Sequence, residues 1–170
     1  GFANAAFVND TVVGIDPDAK QVYRADGMPI AYDVLSINIG SAPDTNDVPG
    51  AAEHTIQVKP ISQFLSYWEA LQTRIAGNEK PCQIAVVGGG AGGVELLLAI
   101  QYRLSQGTHA HRLSFHLVTK EAELLSTYLP SIRETFHQTF TSRGITLHTN
   151  HRVHQVEANR VHCKNGAVLK

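Results

Sequence analysis

Residues Ile84-Ala85-Val86-Val87-Gly88-Gly89-Gly90-Ala91-Gly92-Gly93-Val94-Glu95 join a short apolar run to a cluster of five glycines. Such a cluster lets backbone come close to an anion that side chains would keep away. Gly88, Gly90 and Gly93 have the G-x-G-x-x-G spacing of a dinucleotide site. In that arrangement the first glycine makes the tight turn out of the strand, the second leaves room for a pyrophosphate, and the third lets a helix lie close to the sheet. The free N–H groups of the new helix N-terminus then face the phosphates.

The flanking elements fit that chemistry. Ile84–Val87 is β-branched and apolar, as expected of a strand buried on both faces. Val94, Leu97, Leu98, Ala99, Ile100 and Leu104 cover one broad helix face, and Gly107 is a reasonable stop. Leu113-Ser114-Phe115-His116-Leu117-Val118 is a second strand, which completes a β-α-β unit. Pro130–Arg143, with Ile132, Phe136 and Phe140, predicts a further amphipathic helix. Gly144 ends it, and Ile145-Thr146-Leu147-His148 is a third strand. Gly88, Gly90 and Gly92 also fit the G-x-G-x-G of methyltransferases. Those usually carry an acid just before the glycines, where this chain has Val86-Val87.

Upstream, Phe7-Val8, Thr11–Ile15, Gln21–Arg24 and Asp33–Ile39 read as short strands separated by turn clusters. Asp26-Gly27 suits a hairpin. Residues 40–58 are loop-like. Pro60 fits a first helical turn, followed by Ile61, Phe64, Leu65, Trp68, Leu71 and Ile75 at helical spacing, with Gly77 as the stop. That stripe is read as core packing. An internal echo links Val12–Ile30 to Val153–Leu169: each gives a strand, a turn, a strand, an Asp/Asn-Gly turn and a third strand, the pattern of two related modules.

Composition bounds the alternatives. The chain has 170 residues, 43% apolar, with a net charge of -1. No broad basic field is available for nucleic acid. Cys82 and Cys163 form no C-x-x-C or metal-type pair, so a reducing, cytoplasmic compartment is the default. The longest apolar run, residues 94–100, is too short to span a bilayer, and no signal peptide is visible. The chain begins at Gly1 with Phe2–Val8 already reading as structured interior, which is expected of a piece of a longer protein. Nine histidines are many for this length, with His148, His151 and His154 spaced by three and His109 near His111. In a strand-and-turn region a spacing of three alternates faces, so no metal site is expected. There is no G-x-S-x-G elbow for a serine hydrolase.

Tyr32-Asp33-Val34-Leu35-Ser36-Ile37-Asn38-Ile39-Gly40-Ser41-Ala42-Pro43 resembles the "YDxLxxATGSxP" segment that closes the flavin domain in the pyridine nucleotide-disulfide oxidoreductase superfamily. Asn38-Ile39-Gly40 replaces its Ala-Thr-Gly. Val48-Pro49-Gly50 matches the "xPG" that follows, and Gly88–Glu95 resembles the NAD(P)H-binding turn. Within that superfamily the chain is similar to type II NADH dehydrogenase-like proteins, and residues 33–41 to the flavoprotein module fused ahead of selenide, water dikinase in some bacteria.

The resemblance implies an α/β fold: a Rossmann-like three-layer NAD(P)-binding domain with a β-meander, plus a short β-rich strip of the FAD domain. The implied boundaries are 1–58 for the strip, 59–80 for a connecting helix and 81–170 for the nucleotide domain, cut short at its C-terminal end. The implied chemistry is hydride transfer from NAD(H) or NADP(H) to FAD, with FAD bound in the full-length parent. No residue of this chain need act as an acid or base, because the cofactors carry the reaction.

The implied cofactor-binding residues are Gly88, Gly89, Gly90, Ala91, Gly92 and Gly93 at the pyrophosphate, Glu95 near the nicotinamide, Thr119 and Lys120 after the second strand, and Gly40 at the flavin. Glu95 also reads as an ordinary first-turn glutamate favoured by the helix dipole. The acid that usually ends the second strand and binds the ribose of NAD is replaced by Thr119 and Lys120. Lys120 suits the extra phosphate of NADP, and Glu121 suits NAD if the strand ends later. The glycine turn for FAD would lie before Gly1, as would any redox dithiol. The implied partners are a nicotinamide nucleotide and the remainder of the FAD domain, and the implied location is cytoplasmic or membrane-peripheral in the parent. The alternative is a nucleotide-sensing or scaffold module of a fused enzyme that does not itself turn over.

Overall fold

The computed structural model describes residues 5–39, 45 and 47–170. The chain divides into two units at residue 40.

The first unit is an antiparallel meander of β1 (Val12–Asp16), β2 (Gln21–Arg24) and β3 (Ile30–Ala31), in that order. Asp26-Gly27 lies in the β2–β3 connection, where Gly27 takes a φ of 121°, a conformation that favours glycine. Two expected strands are absent. Phe7-Val8 and Asp33–Ile39 have no ladder partner among the described residues. A strand needs a neighbour to take its N–H and C=O groups, and the last such bond here is Tyr32 N–H to the Lys20 carbonyl at 3.0 Å. Val34 is accordingly 90% exposed.

The second unit holds the remaining elements. α1 (Ala51–His54) forms in a stretch expected to be loop, and its Ala51 is buried. The Pro49 carbonyl before it accepts the Val156 N–H at 2.9 Å, which ties the segment to a distant strand. α2 (Ile61–Ala76) starts just after Pro60 and ends at Gly77. Its stripe is covered unevenly: Ile75 is buried and Trp68 and Leu71 lie against the core, whereas Ile61 and Leu65 are each 56% exposed. Residues 47–80 cluster by their contacts with the second unit.

At its centre is a parallel sheet of β4 (Cys82–Val87), β5 (Leu113–Val118) and β6 (Ile145–His148). α3 (Ala91–Ser105) connects β4 to β5, and α4 (Pro130–Ser142) connects β5 to β6. The strands advance in one direction, so right-handed crossovers put both helices on the same face. There Val94, Leu97, Ile100 and Leu104 of α3 and Phe140 of α4 meet Ile84, Phe115, Leu117 and Ile145. Ala99 is exposed, off the face expected to be buried. β4 is buried only at Ile84, and Val87 is 55% exposed. It is an edge strand of this sheet, so the expectation of burial on both faces fails there and fits central β5 better.

A second antiparallel meander follows: β7 (Val153–Glu157), β8 (Arg160–Cys163) and β9 (Val168–Leu169). The architecture is the mixed α/β arrangement expected, a parallel Rossmann-type sheet with antiparallel meanders.

Candidate functional site

The glycine cluster spans the turn from β4 into α3. Gly88 continues the ladder, donating its N–H to the Val118 carbonyl at 2.8 Å. It then turns with a φ of 128°, which an L side chain rarely adopts. A side chain on Gly93 would collide with the Gly88 carbonyl oxygen, so this glycine permits the close approach of α3 to the strand. Gly90 and Gly92 differ. A Cβ at either would meet nothing within 4 Å, so open space borders the turn where a ligand could lie.

α3 begins at Ala91, and its N-cap Gly90 offers no side-chain bond. The first intrahelical bond runs from Val94 N–H to the Gly90 carbonyl at 3.1 Å. The N–H groups of Ala91, Gly92 and Gly93 therefore have no partner within the helix, and the first turn carries no acid. Glu95 is the fifth helical residue, not a first-turn one, so the simple dipole reading of it loses its basis. It is exposed and lines a groove with Ala91, Val94, Leu125, Tyr128, Ile132 and Phe136.

Thr119, Lys120 and Glu121 follow the C-terminal end of β5, beside the turn. Thr119 is 3% exposed. A Cβ on Gly89 would come within 2.7 Å of its hydroxyl, so Gly89 is small because Thr119 fills the space. The Thr119 hydroxyl accepts the Glu121 N–H at 3.2 Å. Its own N–H donates to the His148 carbonyl at 2.9 Å, and its carbonyl accepts the His151 N–H at 2.8 Å. Lys120 and Glu121 are exposed and lie 3.9 Å apart as an ion pair.

The loop beyond them was not singled out in the sequence. Leu124 and Leu125 are buried, and Leu125 donates its N–H to the Gly89 carbonyl at 3.0 Å, fastening the loop over the glycine turn. The signal available was an adjacent leucine pair in an otherwise polar stretch. Gly40 lies outside the described residues.

The histidines also assort differently from their spacing. His148 and His151 come together around Asn150, which turns with a φ of 58°, and their rings stand 5.4 Å apart. His116 Nδ1 lies 3.1 Å from His148 Nε2. Burial pulls His116 below its ordinary pKa. Burial first, then the neighbouring His116 and His151, does the same to His148. His154 lies instead near His162. Among the described residues no group of three or more His, Cys, Asp or Glu is placed to hold a metal ion, and none of the helices is long and apolar enough to cross a membrane.

Residues 3–170 match the family model of the pyridine nucleotide-disulphide oxidoreductases. The chain belongs to that family. It is 28% identical over 152 residues to ferroptosis suppressor protein 1 of Taeniopygia guttata, covering 89% of this chain and 37% of that protein. Its fold matches the sulfide:quinone oxidoreductase of Aquifex aeolicus with a TM-score of 0.75 at 23% identity, covering 95% of this chain and 39% of that one. It matches NDH2 of Plasmodium falciparum, solved in complex with NADH, with a TM-score of 0.71 at 19% identity, covering 96% and 38%. The chain thus spans less than two-fifths of the length of each of these three proteins.

Proposed function

We propose that this chain is the NAD(P)H-binding part of a flavin-dependent oxidoreductase that passes a hydride from a nicotinamide to FAD. The observation that carries the reading is the turn itself. Open space at Gly90 and Gly92 borders three helix N–H groups that lack intrahelical partners, and Gly88 and Gly93 hold the backbone in that shape. A pyrophosphate fits such a cradle in charge and in size. Bound there, the nicotinamide supplies the hydride and the flavin accepts it.

The residues of this chain have the tasks of binding and orienting. Gly88–Gly93, with Ala91, hold the pyrophosphate. Thr119, buried beside Gly89, fixes the loop through its backbone bonds and keeps its place at the nucleotide on sequence resemblance. Lys120 and Glu121 are the exposed side chains next in line. Glu121 would bind the ribose hydroxyls of NAD(H), the favoured nucleotide, and Lys120 the extra phosphate of NADP(H). Glu95 would sit near the nicotinamide side, as the matching glutamate of the family does. Gly40 keeps its place at the flavin on sequence resemblance alone.

The uncovered apolar residues of the first unit, among them Ile15, Ile30 and Val34, support its being a strip of an FAD domain whose remainder covers it. The proposed domain limits of 1–58, 59–80 and 81–170 rest on the resemblance, as does a cytoplasmic or membrane-peripheral location. The test is rapid mixing of the full-length, FAD-loaded protein with NADH or NADPH. Bleaching of the flavin absorbance, faster with NADH, is expected. A nucleotide-sensing or scaffold module, such as one fused to selenide, water dikinase, would bind the same nucleotide and leave the flavin oxidised.

A further inference from the structure

Among the described residues only Lys20, Leu125 and Asn150 have a positive φ without being glycine. Lys20 and Asn150 are exposed turn residues, and asparagine visits that conformation readily. Leu125 is different. Its φ is 52°, yet its side chain is 3% exposed and belongs to the core cluster. A Cβ disfavours this region of backbone space, so the conformation persists because the surroundings impose it. Three contacts do so. The leucine side chain is buried beside that of Leu124, the Leu125 carbonyl accepts the Tyr128 N–H at 2.8 Å, and the Leu125 N–H donates to the Gly89 carbonyl at 3.0 Å.

The last of these reaches into the glycine turn. The Gly89 carbonyl and the Gly90 N–H are the two ends of one trans peptide unit, so they point in opposite directions. Fixing the carbonyl on Leu125 therefore aims the Gly90 N–H away from the loop. Gly90 is exposed, and its N–H has no acceptor among the described residues. A Cβ at Gly90 would meet nothing within 4 Å, so the space beside this residue is open. The adjoining groups are held by other bonds: the Gly88 N–H by the Val118 carbonyl, and the Gly90 carbonyl by the Val94 N–H. Among the described residues no other hydrogen bond fixes the 89–90 peptide, and neither of its glycines has a side chain to restrict its rotation.

We propose that Leu125 is a positioning residue for the pyrophosphate turn. Its N–H orients the 89–90 peptide so that the Gly90 N–H becomes a further donor to the bound anion, beside those of Ala91, Gly92 and Gly93. This role rests on the nucleotide reading of the turn. Leu125 touches no ligand and acts through Gly89. Its left-handed backbone lets one residue anchor its side chain in the core and reach the turn with its N–H. The test uses the full chain in two altered forms. Exchange of the Leu124–Leu125 amide for an ester removes the donor and keeps the side chain. Leu125→Ala keeps the donor and removes the anchor. NADH is titrated into the ¹⁵N-labelled wild type and into both forms.

Loss of one donor to a charged group should weaken NADH binding about tenfold or more in the ester form. Its Gly90 amide resonance should move before any nucleotide is added, while those of β7–β9 stay in place. Leu125→Ala should show the same loss of affinity, and Leu125→Met, which keeps an apolar anchor, should restore it; this pair decides the matter if the ester form does not fold. Wild-type affinity in the ester form or in Leu125→Ala, or an unmoved Gly90 resonance in the ester form, would overturn the role of Leu125 and leave the nucleotide reading intact. A wild type that does not respond to NADH would sink the nucleotide reading, and this role with it.

Discussion

In the first meander Val12 faces Arg24 across a bulge, and in the second Val153 faces Cys163 at the corresponding place. The next pairs correspond as well: Gly14 with Tyr23 and Gln155 with His162, then Ile15 with Val22 and Val156 with Val161. Even the register irregularity recurs, between Val12 and Gly14 and between Val153 and Gln155. The surfaces nonetheless differ. Ile15 is 41% exposed, whereas its counterpart Val156 is 7% exposed and Cys163 2%. The second meander is covered in part by its own chain, through α1 and the Pro49 carbonyl. The first is held by polar bonds. Asp10 accepts from the Thr11 and Asp26 N–H groups and pairs with Arg24 at 3.3 Å, and Arg24 in turn donates to the Met28 carbonyl. One backbone pattern therefore serves a covered role and an uncovered one, and the side chains at equivalent positions record which.

The largest effect that could break this comparison is a charge placed at the matched pair. Val156→Asp should cost on the order of 3 kcal/mol or more, the result of forcing a carboxylate into a buried site. Ile15→Asp should cost roughly 0.5 kcal/mol, as surface changes do. Urea unfolding of the two variants measures both, and equal losses would mean that the first meander is covered after all.

Acid gives a smaller, directional effect. All nine histidines lie in the second unit. His116 and His148 have pKa values lowered on folding, so the unfolded chain binds more protons as pH falls below about 6.5. Their contribution is present above that pH and is lost as pH falls through it toward the depressed folded values. Hydrogen exchange at pH 7 and pH 5.5 should show protection dropping in β5 and β6 while β1 and β2 hold. His116→Gln with His148→Gln should flatten the difference. A uniform drop along the chain would contradict the assignment.

The smallest effect concerns the polar fastening. Arg24→Ala should loosen the Asp10 turn by about 1 kcal/mol. It would be seen as faster exchange at Asp26 with no change in the second meander, and the difference should shrink in high salt.

Much of this was legible from residue order. β5, β6 and the glycine-to-helix junction follow from apolar runs and stop signals that act locally, and the echo between the meanders predicted their shared topology. What failed depended on neighbours. Asp33–Ile39 has the composition of a strand but no partner among the described residues. Ile84–Val87 reads as a central strand and is an edge of the sheet. The stripe of α2 is periodic from Ile61 to Ile75, yet Ile61 and Leu65 stay exposed while Trp68, Leu71 and Ile75 meet the core. The site was legible in its glycines, whose spacing reflects local geometry. The clasp of Leu125 on Gly89 and the burial of Thr119 were not, because they arise from a loop returning over the turn. The gathering of His116, His148 and His151 depends on strand register and on one left-handed residue, Asn150, neither of which a spacing count contains.

In the proposed function, the open turn at Gly90 binds the pyrophosphate of a nicotinamide nucleotide. Gly90→Val tests it most directly. Its Cβ has free space and its φ of -79° suits any residue, so the fold should survive while the new side chain fills the cradle. Titration of NADH into the ¹⁵N-labelled chain should move the amides of Gly88–Glu95 with an affinity roughly in the micromolar-to-millimolar range. The variant, with an otherwise unchanged spectrum, should lose that response. Equal binding by the variant, or NADH shifts that avoid the turn, would contradict the account.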